Sequence, residues 1–304
     1  MMHDLLEAAN PGLFGWSRDV DTIGPGIVAL GVPSDVGNGA GSGARLGPAA
    51  IRAASLALAA PALQALDLGD VRQLDEMDWS DAIQRIEMIV GTVIDAGGLP
   101  LMLGGDHSVS YSAIAAIARR QRVNIVWLDA HTDCCAWQGG ATHNHKQVLR
   151  RCASLPGVGR IVQVGHRGIT YHDERQQVPA LQVVPARQAQ TLQAEALLDL
   201  LPAAEPVYLS VDIDVLDPQL APGTGHPVPG GLDVGTVCRL AAAIARCRPL
   251  AGLDLTEVNP LLDINGSTAM AAATVLDSVV RALPQQPSPR TAQRIEVFET
   301  EAGA

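Results

Sequence analysis

The 304-residue chain is 47% apolar by residue count and carries a formal charge of -11 at pH 7. This acidic balance argues against a general nucleic-acid binder, because binding a polyphosphate needs a basic face. Charges or proline interrupt the apolar runs well before a membrane-spanning length. Five cysteines without a CxxC pair argue against a disulfide framework and a thiolate zinc site. The amino terminus has acids where a signal peptide has bases, so we predict a cytoplasmic protein.

Eight short apolar runs, taken in chain order, are predicted strands. They cover residues 26–32, 63–68, 99–103, 124–129 and 160–165, followed by three runs that end at Val184, Asp212 and Leu255. Most of these runs are continuously apolar, which is typical of strands buried on both faces of a parallel sheet.

Helical patterns occupy the segments between these strands. We predict helices over residues 107–120, 191–201, 232–247 and 267–283, another that begins near Pro48, and one with Ser80 as its N-cap that ends at Gly97. This alternation predicts an α/β fold: a three-layer sandwich around a mostly parallel sheet of about eight strands.

The chain shows no internal repeat and no linker, so a single domain over 1–304 is expected. Its core would cover about 26–282. The last residues, 284–304, are rich in Pro and Gln and are predicted to form a loose tail.

Residues that can bind a metal follow several of the predicted strands. His107 comes after a Gly–Gly turn, Asp129, His131 and Asp133 follow one strand, and Asp212 and Asp214 follow another. Alternate side chains of an extended segment point the same way, so each of the last two groups is predicted to share one face. Two carboxylates this close would raise each other's pKa unless a cation intervened.

Open α/β sheets place their sites at the carboxyl ends of the strands, so these clusters are expected to meet. Four carboxylates and two neutral imidazoles would balance two divalent ions. Without thiolates, the set favours Mn²⁺ over Zn²⁺, and Ni²⁺ and Co²⁺ accept similar ligands. Two neighbouring ions can share one water and lower its pKa. Glu257, after the last strand, lacks the spacing of a ligand and is interpreted as an anchor for a cationic substrate.

The motifs in this order resemble those of the ureohydrolase family, which includes arginase, agmatinase, guanidino-acid hydrolases and formimidoylglutamase. The similarity covers roughly residues 26–282. Its segments are the Gly-rich stretch 31–52, GlyGlyAspHisSer, AspAlaHisThrAsp, AspIleAspValLeuAspPro, AlaProGlyThrGlyHisPro and ThrGluValAsnPro.

The resemblance implies a ligand set for each of two ions. One ion would be held by His107, Asp129, Asp133 and Asp212, and the other by Asp129, His131, Asp212 and Asp214. The resemblance also implies that Glu257 binds the guanidinium group, that His145 is the proton shuttle, and that the chain assembles into trimers or hexamers.

The chain departs from the family pattern near the expected pocket. Lys146 follows His145 where the family usually has Gly, and His226 replaces a Thr. Trp137 lies in the loop after AspAlaHisThrAsp. Lys146, Trp137 and His226 are therefore candidate substrate contacts, and Lys146 is either a solvated lysine or a partner for a substrate carboxylate.

The predicted function is hydrolysis of a small guanidino compound with release of urea, agmatinase-like or as a guanidino-acid hydrolase rather than an arginase. Arginases recognise the α-amino group through carboxylates that the matching segment, residues 165–170, lacks. Agmatine comes first on resemblance and a guanidino acid second; neither a nucleic acid nor a membrane is an expected partner. The alternatives are a formimidoylglutamase-type hydrolase, a single-ion deacetylase and a non-catalytic partner subunit, and the complete ligand set argues against the last two.

Overall fold

The computed structural model describes residues 2–37, 43–135, 144–168, 178 and 180–284. The predicted tail beyond Pro284 and the candidate contact Trp137 lie outside the described residues. No helix in the described part combines the length and apolarity that crossing a membrane requires.

The fold is built on one sheet, whose strands are β1 (Leu6–Glu7), β2 (Gly26–Val32), β3 (Ala65–Val71), β4 (Gly98–Gly104), β5 (Val123–Leu128), β6 (Val158–His166), β7 (Leu181–Pro185), β8 (Val207–Asp212) and β9 (Leu250–Thr256). Their order is β1-β3-β2-β4-β9-β8-β5-β6-β7. Every neighbouring pair is parallel except β1 with β3. The eight predicted strands are confirmed, and β1 was missed because two residues carry no periodicity.

Helices cover both faces of this sheet, as the three-layer prediction requires. The helices are Met2–Leu5, Gly47–Ser55, Trp79–Asp95, Ser110–Ala118, Val148–Ala153, Ala186–Ala189, Ala194–Leu198, Val234–Cys247 and Ser267–Ala282. Two apolar cores result, one on each face of the sheet. The N-cap prediction was wrong: the helix begins at Trp79, so Asp78 is the N-cap and Ser80 lies in the first turn.

The strand order brings distant parts of the chain together. Strands β4, β9, β8 and β5 are consecutive in the sheet, although β9 lies far from β4 along the chain. Because these strands are parallel, the segments that follow them emerge at one edge. Those segments carry the predicted ligands and Glu257.

Candidate metal centre and substrate pocket

His107 is positioned by a tight turn after β4. A Cβ atom on Gly105 would collide with the backbone of Ser34, so the turn requires glycine there. The carboxylate of Asp106 accepts hydrogen bonds from the amides of Gly37 (3.0 Å) and Ser108 (2.9 Å) and thereby fixes the turn. His107 itself is fully buried.

The segment Asp129–Asp133 converges on His107, but not for the predicted reason. Strand β5 ends at Leu128, and Asp133 has a φ of 48°, so the chain turns instead of continuing in an extended form. Strand alternation was therefore the wrong explanation. Ligand atoms of His107, Asp129 and Asp133 nevertheless lie within 4.8 Å of one another, as do those of Asp129, His131 and Asp214.

The same correction applies to Asp212 and Asp214. Asp212 ends β8, whereas Asp214 lies in the 3-10 turn Ile213–Val215, so the two do not share a strand face. The Asp212 Oδ1 atom accepts a hydrogen bond from the Asp214 amide at 2.8 Å. The Asp214 Oδ1 atom accepts one from the Ala130 amide at 3.0 Å, which joins the two ligand segments.

Arg167 holds the segment around Asp214 in place. Within the described residues, its guanidinium donates to backbone carbonyls, those of Gly165, Asp214, Val215, Leu216 and Val228, at 2.7–3.2 Å. A lysine ammonium could not reproduce these bonds, because it lacks the several N–H donors that the planar guanidinium directs to different acceptors. Arg167 therefore positions the Asp214 turn against the loop that carries His226.

A chain of buried hydrogen bonds determines the tautomer of His107. Tyr208 donates to Asp254 Oδ2 (2.6 Å) and Ser210 donates to Asp254 Oδ1 (2.7 Å). The hydroxyl hydrogen of Ser210 is thus committed to Asp254. The Ser210 Oγ atom, 2.8 Å from His107 Nε2, must accept from that nitrogen. In the neutral ring, His107 Nδ1 is then a lone pair.

That lone pair faces three carboxylates. His107 Nδ1 lies 3.1 Å from Asp212 Oδ2, 3.2 Å from Asp129 Oδ2 and 3.5 Å from Asp133 Oδ2. Within the described residues, His107 Nδ1 is buried and makes no hydrogen bond of normal geometry. A nitrogen lone pair among carboxylate oxygens is repulsive unless a proton or a metal cation lies between them, so this donor set fits a divalent ion.

The protonation behaviour of the cluster supports the same conclusion. Burial lowers the pKa of His131, but the carboxylates of Asp129 and Asp214 outweigh it and raise that pKa to about 12. Burial, and then neighbouring negative charge, raise the pKa values of Asp133 and Asp212 well above the usual range. Without a metal, the site therefore retains protons that divalent ions would displace.

Glu257 lies beside this cluster in a strained conformation. Its φ is 63°, in the left-handed region that few non-glycine residues adopt, at a cost of roughly 1–3 kcal/mol. The backbone amide of Glu257 donates to the Gly105 carbonyl (2.8 Å), and Glu257 Oε1 accepts from the His107 amide (2.9 Å). Glu257 is buried and lines the pocket.

His145 presents one nitrogen to the pocket. Its Nδ1 atom lies 2.6 Å from the Gly37 carbonyl, which can only accept, so Nδ1 carries the proton and Nε2 is a lone pair. Nε2 is buried and has no partner among the described residues. Burial, followed by the charge of His226, lowers the pKa of His145 to about 4. The ring is therefore neutral at pH 7.

A pocket of about 260 Å³ joins these groups. Its lining includes a carboxylate cluster, Asp133, Asp212, Asp214 and Glu257, and an imidazole–lysine cluster, His145, Lys146 and His226. The rings of His145 and His226 lie 5.0 Å apart, and the ring of His226 lies 6.3 Å from that of His131. A volume of this size suits a small-molecule substrate.

Sequence reasoning missed Ser210, Arg167 and the role of Asp254. The sequence did contain a signal for Ser210. The strand is otherwise apolar, but polar residues occupy alternate positions and therefore share one face: Tyr208, Ser210 and Asp212. Nothing local marks Arg167, because its acceptors lie on two other segments of the chain.

Comparison with known proteins is consistent with this geometry. Residues 25–281 match the model of the Arginase family. The chain is 35% identical to the mitochondrial agmatinase of Gallus gallus, over 87% of this chain and 84% of the relative. It is 34% identical to the mitochondrial guanidino acid hydrolase of Homo sapiens, over 84% and 78% of the two chains. The structure of proclavaminate amidino hydrolase from Streptomyces clavuligerus superposes with a TM-score of 0.82 at 30% identity, covering 90% of this chain and 96% of that one.

Proposed function

The chain belongs to the arginase family, and we propose that it hydrolyses a small guanidino compound to urea and an amine, in the manner of agmatinases and guanidino-acid hydrolases. The observation that carries this proposal is a single pocket in which a buried His–Asp ligand set adjoins the Glu257 carboxylate. Relatives named agmatinase, guanidino acid hydrolase and guanidinobutyrase, at 34–35% identity, support the substrate class.

Two divalent ions are the proposed cofactor, with Mn²⁺ as the first candidate. His107, Asp129, Asp133 and Asp212 would hold one ion, and Asp129, His131, Asp212 and Asp214 the other. When bound, such a pair supplies a nucleophile at neutral pH by lowering the pKa of a water. Two observations support this assignment: the donor set is rich in carboxylates, and the lone pair of His107 Nδ1 faces carboxylate oxygens.

Glu257 is the proposed anchor of the guanidinium. A planar guanidinium offers parallel N–H donors to a carboxylate. The bond from the His107 amide to Oε1 and the strained backbone hold the Glu257 carboxylate in one orientation. The central carbon of the substrate would then face the ligand cluster. Holding the reactant in this orientation lowers the entropic part of the activation barrier.

His145 is the proposed proton carrier. Because Nε2 holds a lone pair, it can accept the proton released by the attacking water and pass it to the departing amine. The breaking C–N bond leaves its electron pair on that amine nitrogen, which takes the proton. The lowered pKa of His145 means that the ring releases the proton readily.

The α-ammonium group of free arginine makes it a poorer substrate in this proposal. In residues 165–168, His166 Nδ1 lies 3.0 Å from the Ala130 carbonyl, and the acceptors of Arg167 among the described residues are backbone carbonyls. This described part of the segment contains no carboxylate, and leaving a charged ammonium unpaired costs about 1–3 kcal/mol or more.

Urea release tests the proposal directly. The Mn²⁺-loaded protein should hydrolyse agmatine or 4-guanidinobutyrate with a higher kcat/KM than arginine, and chelated protein should lose the activity. No urea from any of the three, but turnover of formimidoylglutamate, would shift the function to that alternative. Cytoplasmic location and assembly into trimers or hexamers stay predictions.

A further inference from the structure

Within the proposed function, the pocket contains groups that the hydrolytic chemistry does not use. Lys146 and His226 both line it, but neither belongs to the ligand set nor to the anchor of the guanidinium. Lys146 is exposed, and its ammonium makes no ion pair with any described residue. These two residues are also where the chain departs from the family pattern.

Lys146 brings a positively charged side chain to the lining of the pocket. Burial is the main reason that the pKa values of His145 and His226 are lowered, and the Lys146 ammonium lowers both further. A charge that acts on two imidazoles of the same lining is close to the space they enclose. Lys146 therefore contributes positive charge to the part of the pocket next to His145 and His226.

The carboxylates of the described lining are already engaged. Asp133, Asp212 and Asp214 belong to the ligand cluster, and Glu257 accepts the His107 amide and faces the guanidinium position. None is left to pair with a second cationic group on the substrate. An ammonium at the far end of the substrate would instead meet the like charge of Lys146, which is unfavourable.

We infer that Lys146 and His226 form a subsite for the carboxylate of a guanidino acid, so that this chain prefers a guanidino acid to agmatine. Lys146 supplies the opposite charge, and an N–H of the His226 ring supplies a directed hydrogen bond. The inference rests on the proposed function and specifies its substrate class.

Three substrates isolate the charge at the far end. Agmatine and 4-guanidinobutyrate place an ammonium and a carboxylate at the same number of bonds from the guanidinium, and butylguanidine carries no charge there. The wild-type protein should show a kcat/KM for 4-guanidinobutyrate about tenfold or more above that for agmatine, with butylguanidine between them.

Variants then assign the preference to the subsite. Lys146→Gln should lower kcat/KM for 4-guanidinobutyrate by about five- to thirtyfold, mainly through KM, and leave butylguanidine within about twofold. Lys146→Glu should favour agmatine. His226→Thr should reduce the same preference by a smaller factor. Arg246→Gln is the matched control, since it removes an exposed cation at the opposite end of the sheet, where its helix ends.

Product inhibition supplies a second measurement, which reports binding of the far end of the molecule without any reaction of the tested ligand. 4-Aminobutyrate should inhibit the wild-type protein more strongly than putrescine, and Lys146→Gln should remove the difference. Urea release with agmatine preferred, and unchanged by Lys146→Gln, would overturn the subsite while leaving the proposed function intact. Absence of urea from all three guanidino compounds would instead overturn the proposed function, and the subsite with it.

Discussion

The two clusters that line the pocket are built in different ways. The carboxylate cluster lies at the end of β8 and on the segments that follow β8, β5 and β9, and its members are at most 7% exposed. The imidazole–lysine cluster lies on loops and a 3-10 turn outside the sheet, and Lys146 is exposed. The sheet thus positions the groups proposed to bind the ions and the guanidinium, whereas the surrounding loops carry the proposed proton carrier and the groups proposed to select the substrate. Changes in the second cluster should therefore leave metal binding intact.

The largest expected effect comes from a bridging ligand of the carboxylate cluster. Asp212→Asn should abolish measurable urea release and lower the bound metal below two ions per chain, since Asp212 would contact both. Elemental analysis with parallel turnover assays would measure both, and Asp199→Asn, an exposed carboxylate, is the control. Two full equivalents of tightly bound metal in Asp212→Asn would refute the bridging role.

His145 tests the second cluster. Removing a positioned proton carrier typically costs about a hundred- to ten-thousandfold in rate. His145→Gln should lower kcat by that order while the metal content stays at the wild-type level. If kcat were unchanged, the proton-carrier role would have to move to another group in the pocket.

Ser210 tests whether the proposed metal ligand His107 depends on support from within the sheet. Ser210→Ala removes the acceptor of His107 Nε2, so metal affinity should fall about 10- to 100-fold. Competition with a chelator measures that affinity, and ¹⁵N NMR of the imidazole should find the proton on Nε2 in the wild-type protein. Tyr208→Phe keeps the Ser210 bond and should have the smaller effect; equal affinities in wild type and Ser210→Ala would contradict the tautomer assignment.

The smallest effect concerns stability. The pKa of His145 falls from 6.5 to about 4 on folding. At pH values between these two, the unfolded chain therefore binds the proton more readily than the folded chain. Stability contributed by the neutral ring is therefore full above about pH 6.5 and is lost as pH falls toward 4. When the pH is lowered from about 7.5 to 5.5, the free energy of unfolding of the metal-free wild type should fall by roughly 1–2 kcal/mol more than that of His145→Gln, as measured by denaturant unfolding. If the free energy of unfolding changed with pH by the same amount in both proteins, His145 would not be buried in its neutral form.

The sequence by itself determined the strands, the parallel sheet and the identity of the residues that meet at its edge. Continuous apolar runs mark strands buried on both faces, because such strands leave no face for polar residues. Residues with ligand chemistry right after those runs then identify the edge that carries the site. His107, Asp129, Asp212 and Glu257 could be selected in this way without any coordinates.

Only the tertiary structure decided how these side chains meet. The left-handed Asp133 and the 3-10 turn at Asp214 replace the extended geometry that alternation predicted, because local turns are stabilised by long-range hydrogen bonds such as the one from the Ala130 amide. The tautomer of His107 depends on Asp254, a residue 147 positions away that the order of the strands brings next to Ser210. Such contacts join segments that are remote in the chain, so no local pattern of residues encodes them.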